Sequence, residues 1–250
     1  QGPELMTTIG AQAERFGADI RYEDVEALDL EGDVKKVILT DGSVHLAKTV
    51  IISTGSEYRK LGVDGEQRLS GHGVSWCATC DGFFFKEKTL AVIGGGDSAL
   101  EEALYLTNHA AKVYLVHRRD ALRGSEIMQR RVFENEKIEM VWDSAVKTIN
   151  GGDKVTSVTL TNTKSGEESE LAVDGVFVAI GSDPRTALVQ GKLELTEAGT
   201  IAVDGRSSRT SVPGVFAAGD VIDPTYRQAI TAAGSGCVAA LDAQHYLEAL

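Results

Sequence analysis

What the sequence lacks narrows it first. Basic residues are outnumbered, with 25 Lys and Arg against 37 Asp and Glu and a net charge of -12, which argues against a broad nucleic-acid-binding surface. No apolar run approaches the ~18 residues a membrane-spanning helix requires. No basic, apolar, small-residue leader pattern opens the chain, so a cytoplasmic location is expected. Cysteine is scarce, with 3 in 250 residues, and no second C-x-x-C or spaced histidine pair is present to complete a structural zinc site. There is no internal repeat and no low-complexity segment. What is there, 42% hydrophobic content over 250 residues, is enough for one large core or two ordinary ones.

Two of the cysteines stand together in Ser75-Trp76-Cys77-Ala78-Thr79-Cys80-Asp81-Gly82. Two intervening residues keep both sulfurs within bonding reach, so one thiolate can attack a disulfide while the other resolves the mixed disulfide. Cys237 lies far away in an apolar context. Asp81 precedes a glycine and suits a turn; beside a reacting thiol it also suits proton transfer.

Along the chain, the spacing of Leu5, Met6, Ile9, Ala13 and Phe16 predicts a helix from Pro3 to Phe16, ended by Gly17. Ile20 to Val25, Val34 to Leu39 and Val44 to Val50 have strand character, with Asp41-Gly42 as a hairpin signal. Val50 to Gly55 reads as a strand buried on both faces, and the polar stretch from Ser56 to Gly73 as a domain linker. Further strands are expected at Ile138 to Trp142, Val155 to Thr161 and Val173 to Ile180, with a second boundary at Gly181-Ser182-Asp183-Pro184.

Thr89 to Ile93 is a predicted strand, Gly94-Gly95-Gly96-Asp97-Ser98-Ala99 follows it, and Leu100 to Asn108 has helical periodicity. This is the dinucleotide-binding fingerprint in its required context. Gly94 permits the tight turn, Gly96 admits a pyrophosphate, and Ala99 lets helix and strand lie close, so the phosphates meet a helix N-terminus. The next strand, Lys112 to Val116, runs into His117-Arg118-Arg119, with Arg123 beyond. Cations where an NAD site would carry an acid accommodate a 2'-phosphate, so the expected cofactor is NADPH; Arg130 and Arg131 read as a solvated helix face. Near the end, Gly214 to Val221 places Asp220 after a small-residue strand, at the sheet end where α/β folds bind ligands. The glycines and alanines after Tyr226, through Gly234 and Gly236 to Ala240, are explained by close helix packing.

These motifs together, Cys77 to Gly82, Gly94 to Ala99, His117-Arg118-Arg119 with Arg123, and Gly219-Asp220-Val221 through Arg227-Gln228-Ala229, resemble the bacterial low-molecular-weight thioredoxin reductases over essentially the whole chain. The resemblance implies an α/β fold of two Rossmann-like dinucleotide-binding domains of the FAD/NAD(P) disulfide-reductase type. Residues 57–183 would form the NADPH domain, inserted between FAD-domain parts 1–56 and 184–250. It implies an FAD-containing homodimer in which NADPH reduces the flavin, the flavin reduces the cysteine pair, and the pair reduces thioredoxin. By the same resemblance Cys80 would face the flavin, Cys77 attack thioredoxin, and Asp81 act as acid and base. Ser98, His117, Arg118, Arg123 and Ile180 would contact NADPH, while Asp220, Val221, Arg227, Gln228 and Ala229 would contact FAD. The two domains would rotate about the linkers near Ser56 and Gly181. No glycine fingerprint precedes Gly94, so the FAD domain is expected to be incomplete at its N-terminus. Ser53, Thr200 and an early C-terminal end are lesser departures from the family pattern. Two alternatives follow: a flavin-free module that binds NADPH and presents thiols, or a related flavoprotein with another disulfide substrate.

Overall fold

The computed structural model describes residues 2–250. The chain divides into two compact units, a continuous one, Glu57–Asp183, and one assembled from the chain up to Ser56 together with Pro184–Leu250.

The continuous unit is built on a five-stranded parallel sheet. Its strands, in spatial order, are Val74–Ser75, Gly175–Val178, Thr89–Ile93, Lys112–Val116 and Ile138–Val141. Alternation sends successive side chains to opposite faces. Leu90 and Val92 pack with Val113, Leu115 and Phe177 under Ala99, Leu100, Ala103 and Leu106 of the helix Asp97–Leu106. Ala91 and Ile93 turn the other way, with Val176 and Val178, onto Ile149, Val158 and Leu160. Those three come from an antiparallel meander, Ser144–Gly151, Val155–Asn162 and Glu168–Ala172. A sheet covered on both sides explains the uninterrupted apolar run Leu90 to Ile93. Each fully buried Leu, Val or Phe there contributes about 1.5–3 kcal/mol.

In the discontinuous unit, Val25–Asp29, Lys35–Leu39 and Val44–Ala47 form an antiparallel sheet. Its hairpin closes with the Gly42 N–H donating to Leu39 O. Val50–Ile52 pairs in parallel with Val215–Ala217, and the long helix Ala229–Glu248 lays Ala239 and Ala243 against Phe216 and Ala218.

Several expectations are corrected. Ile20 to Val25 is not a strand; the ladder starts at Val25, and Tyr22 projects into solvent, almost fully exposed. The strand expected over Val50 to Gly55 is the shorter Val50–Ile52, and it is not buried on both faces, since Ile51 is exposed although the partner strand Val215–Ala217 is buried throughout. Ser56 to Gly73 is no linker beyond its start. Glu66 is buried there, accepting the backbone N–H groups of Leu61 and Gly62, and Leu69 sits in the core. The helix Gly2–Arg15 has the predicted span, but none of its residues is buried.

Candidate active site

The redox pair is placed by the edge strand Val74–Ser75, whose Ser75 stands opposite Phe177 in the parallel register. After it the chain turns into the one-turn helix Ala78–Asp81. Cys77 caps that turn: its Sγ accepts the Cys80 N–H at 3.2 Å, and its carbonyl accepts the Asp81 N–H at 3.1 Å. Cys77 and Cys80 are joined in a disulfide with Cα atoms 5.3 Å apart. When that bond opens, the same N–H faces a sulfur that can carry negative charge, the form in which a thiol attacks. Asp81 is folded back, and its Oδ2 accepts the Ser75 hydroxyl at 2.6 Å.

In the same unit, a cavity of about 770 Å³ opens at the carboxyl ends of the parallel strands. Gly94, Gly95, Gly96, Asp97, Ser98, His117, Arg118, Arg123 and Ile180, all named from the sequence as cofactor contacts, line it together. A Cβ on Gly94 would lie 2.4 Å from Ala179 O and 2.6 Å from Ala99 Cβ, so glycine and alanine interlock strand and helix. A Cβ on Gly95 would meet the His117 ring at 2.3 Å. Beside Gly96, by contrast, no atom of the described residues other than its chain neighbours lies within 4 Å of such a Cβ, leaving open backbone at the N-terminus of Asp97–Leu106. Asp97 holds the turn, its Oδ1 accepting the Ser125 N–H at 2.7 Å, and this bond keeps its carboxyl below the usual carboxylate range. His117 is buried and donates from Nε2 to Ala121 O at 3.1 Å; burial holds its ring below the usual histidine value despite that bond. Open backbone N–H groups at a helix start, flanked by two arginines, match a phosphorylated dinucleotide in charge and size.

Arg119 is exposed and is not among the lining residues; its carbonyl accepts the Asp143 N–H where the chain leaves the sheet. The lining also includes Arg59, Lys60 and Ser144 to Val146, which sequence reasoning missed because they come from the unit's first residues and from the meander. Ser75 was missed as well, since nothing in local spacing signals a contact six residues ahead.

In the discontinuous unit, Gly219–Ile222 forms a short turn of helix after the strand Val215–Ala217. Half-buried Asp220 accepts the Ser56 hydroxyl at 3.2 Å. Val221 is fully buried in the core, so what it could offer a cofactor is its backbone. Arg227 has φ +49 and donates its N–H to Asp223, while Gln228 and Thr231 close a capping box over the helix that begins at Ala229. Burial works against charge on Asp223, yet the N–H groups of Tyr226, Arg227 and Thr225 hold it below the usual carboxylate range. The packing explanation for Gly234 and Gly236 fails: among the described residues no atom lies within 4 Å of a Cβ at either, so they present open helix backbone. A carboxylate acceptor, an ordered loop and open backbone beside it fit one end of a flavin nucleotide.

A dinucleotide cavity and a disulfide carried by one parallel sheet define a class of protein, an oxidoreductase coupling a nicotinamide cofactor to dithiol chemistry. Comparison narrows it. Residues 3–236 match the family described as pyridine nucleotide-disulphide oxidoreductase. The chain is 57% identical over 249 residues to the thioredoxin reductase of Streptomyces clavuligerus, covering 100% of this chain and 77% of that protein. To the thioredoxin reductase of Mycolicibacterium smegmatis it is 55% identical over 246 residues, covering 98% and 79%. The crystal structure of thioredoxin reductase from Streptococcus pyogenes superposes with a TM-score of 0.95 at 45% identity, covering 100% of this chain and 81% of that one. The chain belongs to the pyridine nucleotide-disulphide oxidoreductases, in their thioredoxin reductase branch.

Proposed function

We propose that the chain is an NADPH-dependent thioredoxin-disulfide reductase with FAD and NADPH as cofactors. The observation that carries this is the Cys77–Cys80 disulfide on the same sheet as a basic dinucleotide cavity. When bound, the cofactors supply the electron pair and proton that open the disulfide. The turn from Gly94 to Ser98 holds the NADPH pyrophosphate, Arg118 and Arg123 pair with its 2'-phosphate, and Asp97 keeps the turn in shape. Asp220 with the backbone from Val221 to Ala229 takes the flavin nucleotide. On the opened pair, Cys77 is the attacking thiolate and Cys80 resolves the mixed disulfide, while Asp81 carries a proton between thiol and leaving group. The domain roles follow, with Glu57–Asp183 binding NADPH and the discontinuous unit binding FAD. Homodimer formation is supported by Leu5, Met6 and Ile9, which the helix Gly2–Arg15 leaves exposed. A cytoplasmic location suits a catalytic C-x-x-C, and no helix among the described residues is long and apolar enough to cross a membrane.

The test is Cys77→Ser. Thioredoxin reduction should be lost while NADPH affinity stays within about twofold, because the cysteine lies outside the cavity. Retained turnover would assign the pair a structural role.

A further inference from the structure

We propose that Ser75 is a positioning residue for the dithiol reaction, tying the Asp81 carboxyl to the backbone of Cys77. The proposal rests on the reading that this pair exchanges with a disulfide. Ser75 is 5% exposed and fixed in the sheet opposite Phe177. Its hydroxyl donates to Asp81 Oδ2 at 2.6 Å, and its oxygen accepts the Cys77 N–H at 3.1 Å. One side chain therefore ties the backbone of the first cysteine to the carboxyl that follows the second. A hydroxyl is suited to this place because it both donates and accepts. It donates to the charged carboxylate and accepts from the protonated acid, so Asp81 keeps its partner while it takes up and releases a proton.

The chemistry it supports balances. The Cys77 thiolate attacks a substrate disulfide, forming a mixed disulfide and expelling one thiolate. Cys80 then attacks the Cys77 sulfur, closing the intramolecular disulfide and expelling the second thiolate. Two electrons pass from the pair to the substrate; Asp81 takes the proton of Cys80 as it attacks, and the two protons of the dithiol pass to the leaving thiolates, or to solvent where the leaving thiolates stay ionised, as those of dithiobis-nitrobenzoate do. Without the Ser75 hydroxyl, the carboxyl loses the bond that aims it and the Cys77 N–H loses its buried acceptor.

The experiment uses the full chain reduced with dithiothreitol and freed of reductant, in a Cys237→Ser background because Cys237 is an exposed thiol. Reoxidation by dithiobis-nitrobenzoate is followed by the absorbance of the released thiolate, so neither cofactor nor thioredoxin is needed. Ser75→Ala should slow closure of the disulfide about tenfold at neutral pH, part of what a positioned acid–base group contributes. Ser75→Thr should restore it to within about twofold. The pH profile of Ser75→Ala should take the form of the Asp81→Asn profile, and Ser75→Ala should have no further effect once Asp81 is Asn. An equal loss on both backgrounds, or an unchanged pH profile, overturns the proposal, since Ser75 would then act only on the fold. If the unsubstituted dithiol does not reoxidise to the disulfide at all, the reading of the pair itself falls instead.

Discussion

Arg118 and Arg123 reach the cavity from different places, one just past the end of Lys112–Val116 and the other from the loop that returns toward Gly95, whose carbonyl accepts the Arg123 N–H at 2.7 Å. On the proposed reading their guanidinium groups pair with the cofactor's 2'-phosphate and matter little for the rest of it. Arg118→Ala with Arg123→Ala should weaken NADPH by about 10²- to 10⁴-fold, from the ~1.5–3 kcal/mol of each charge-assisted bond, while NADH changes by less than about threefold. Titration of both nicotinamides by fluorescence checks this, and equal losses would remove the arginines from the phosphate site. The cationic cluster was legible in the sequence because charge after a predicted second strand has a stated use. Which of the cations line the cavity was not: that depends on the turn the loop makes, and Arg118 and Arg123 line it while Arg119 does not. Ser75 was illegible for a related reason, because its function lies in a bond closed by the fold-back of a four-residue helix.

Among the elements, the strand Thr89–Ile93, its glycine turn and the helix Asp97–Leu106 were readable nearly residue by residue. Their apolar run, close-approach glycines and helical spacing all pointed to one structure. In the discontinuous unit Lys35–Leu39 and Val44–Ala47 were legible but Val25–Asp29 was not, since Ile20 and Tyr22 alternate as strand residues do yet have no ladder partner. The turn's stability should also respond to acid through His117, whose buried ring packs on Gly95. Burial lowers its folded value beneath the 6.5 of a free ring, so the unfolded chain takes up the proton first. Stability of this unit should thus be full above about pH 7 and fall as the pH drops through 6.5. Thermal melts across that window should show the decline in the native chain and a flatter response in His117→Gln. A slope that survives the substitution would place the proton uptake on another group.

At the scale of the molecule, each unit closes its own core. Both apolar clusters around the parallel sheet draw only on residues within Glu57–Asp183, and the remaining two draw only on the other unit. The ends of the continuous unit are held together as well, with Arg59 N–H donating to Gly181 O and its guanidinium paired with Asp183 at 2.6 Å. Excised Glu57–Asp183 should therefore unfold cooperatively and bind NADPH within about threefold of the whole chain, by circular dichroism and titration. A fragment with no cooperative transition would show that its core needs the rest of the chain.

The parallel pairing of Val50–Ile52 with Val215–Ala217 also has a consequence during synthesis. On the ribosome, Val50–Ile52 emerges long before its partner is translated, a delay of roughly 10–30 s at typical elongation rates. The inserted unit is complete well before the far strand appears. The nascent chain thus carries one finished domain while Val50–Ile52 waits as an unpaired strand, the interval in which a chaperone would be of most use.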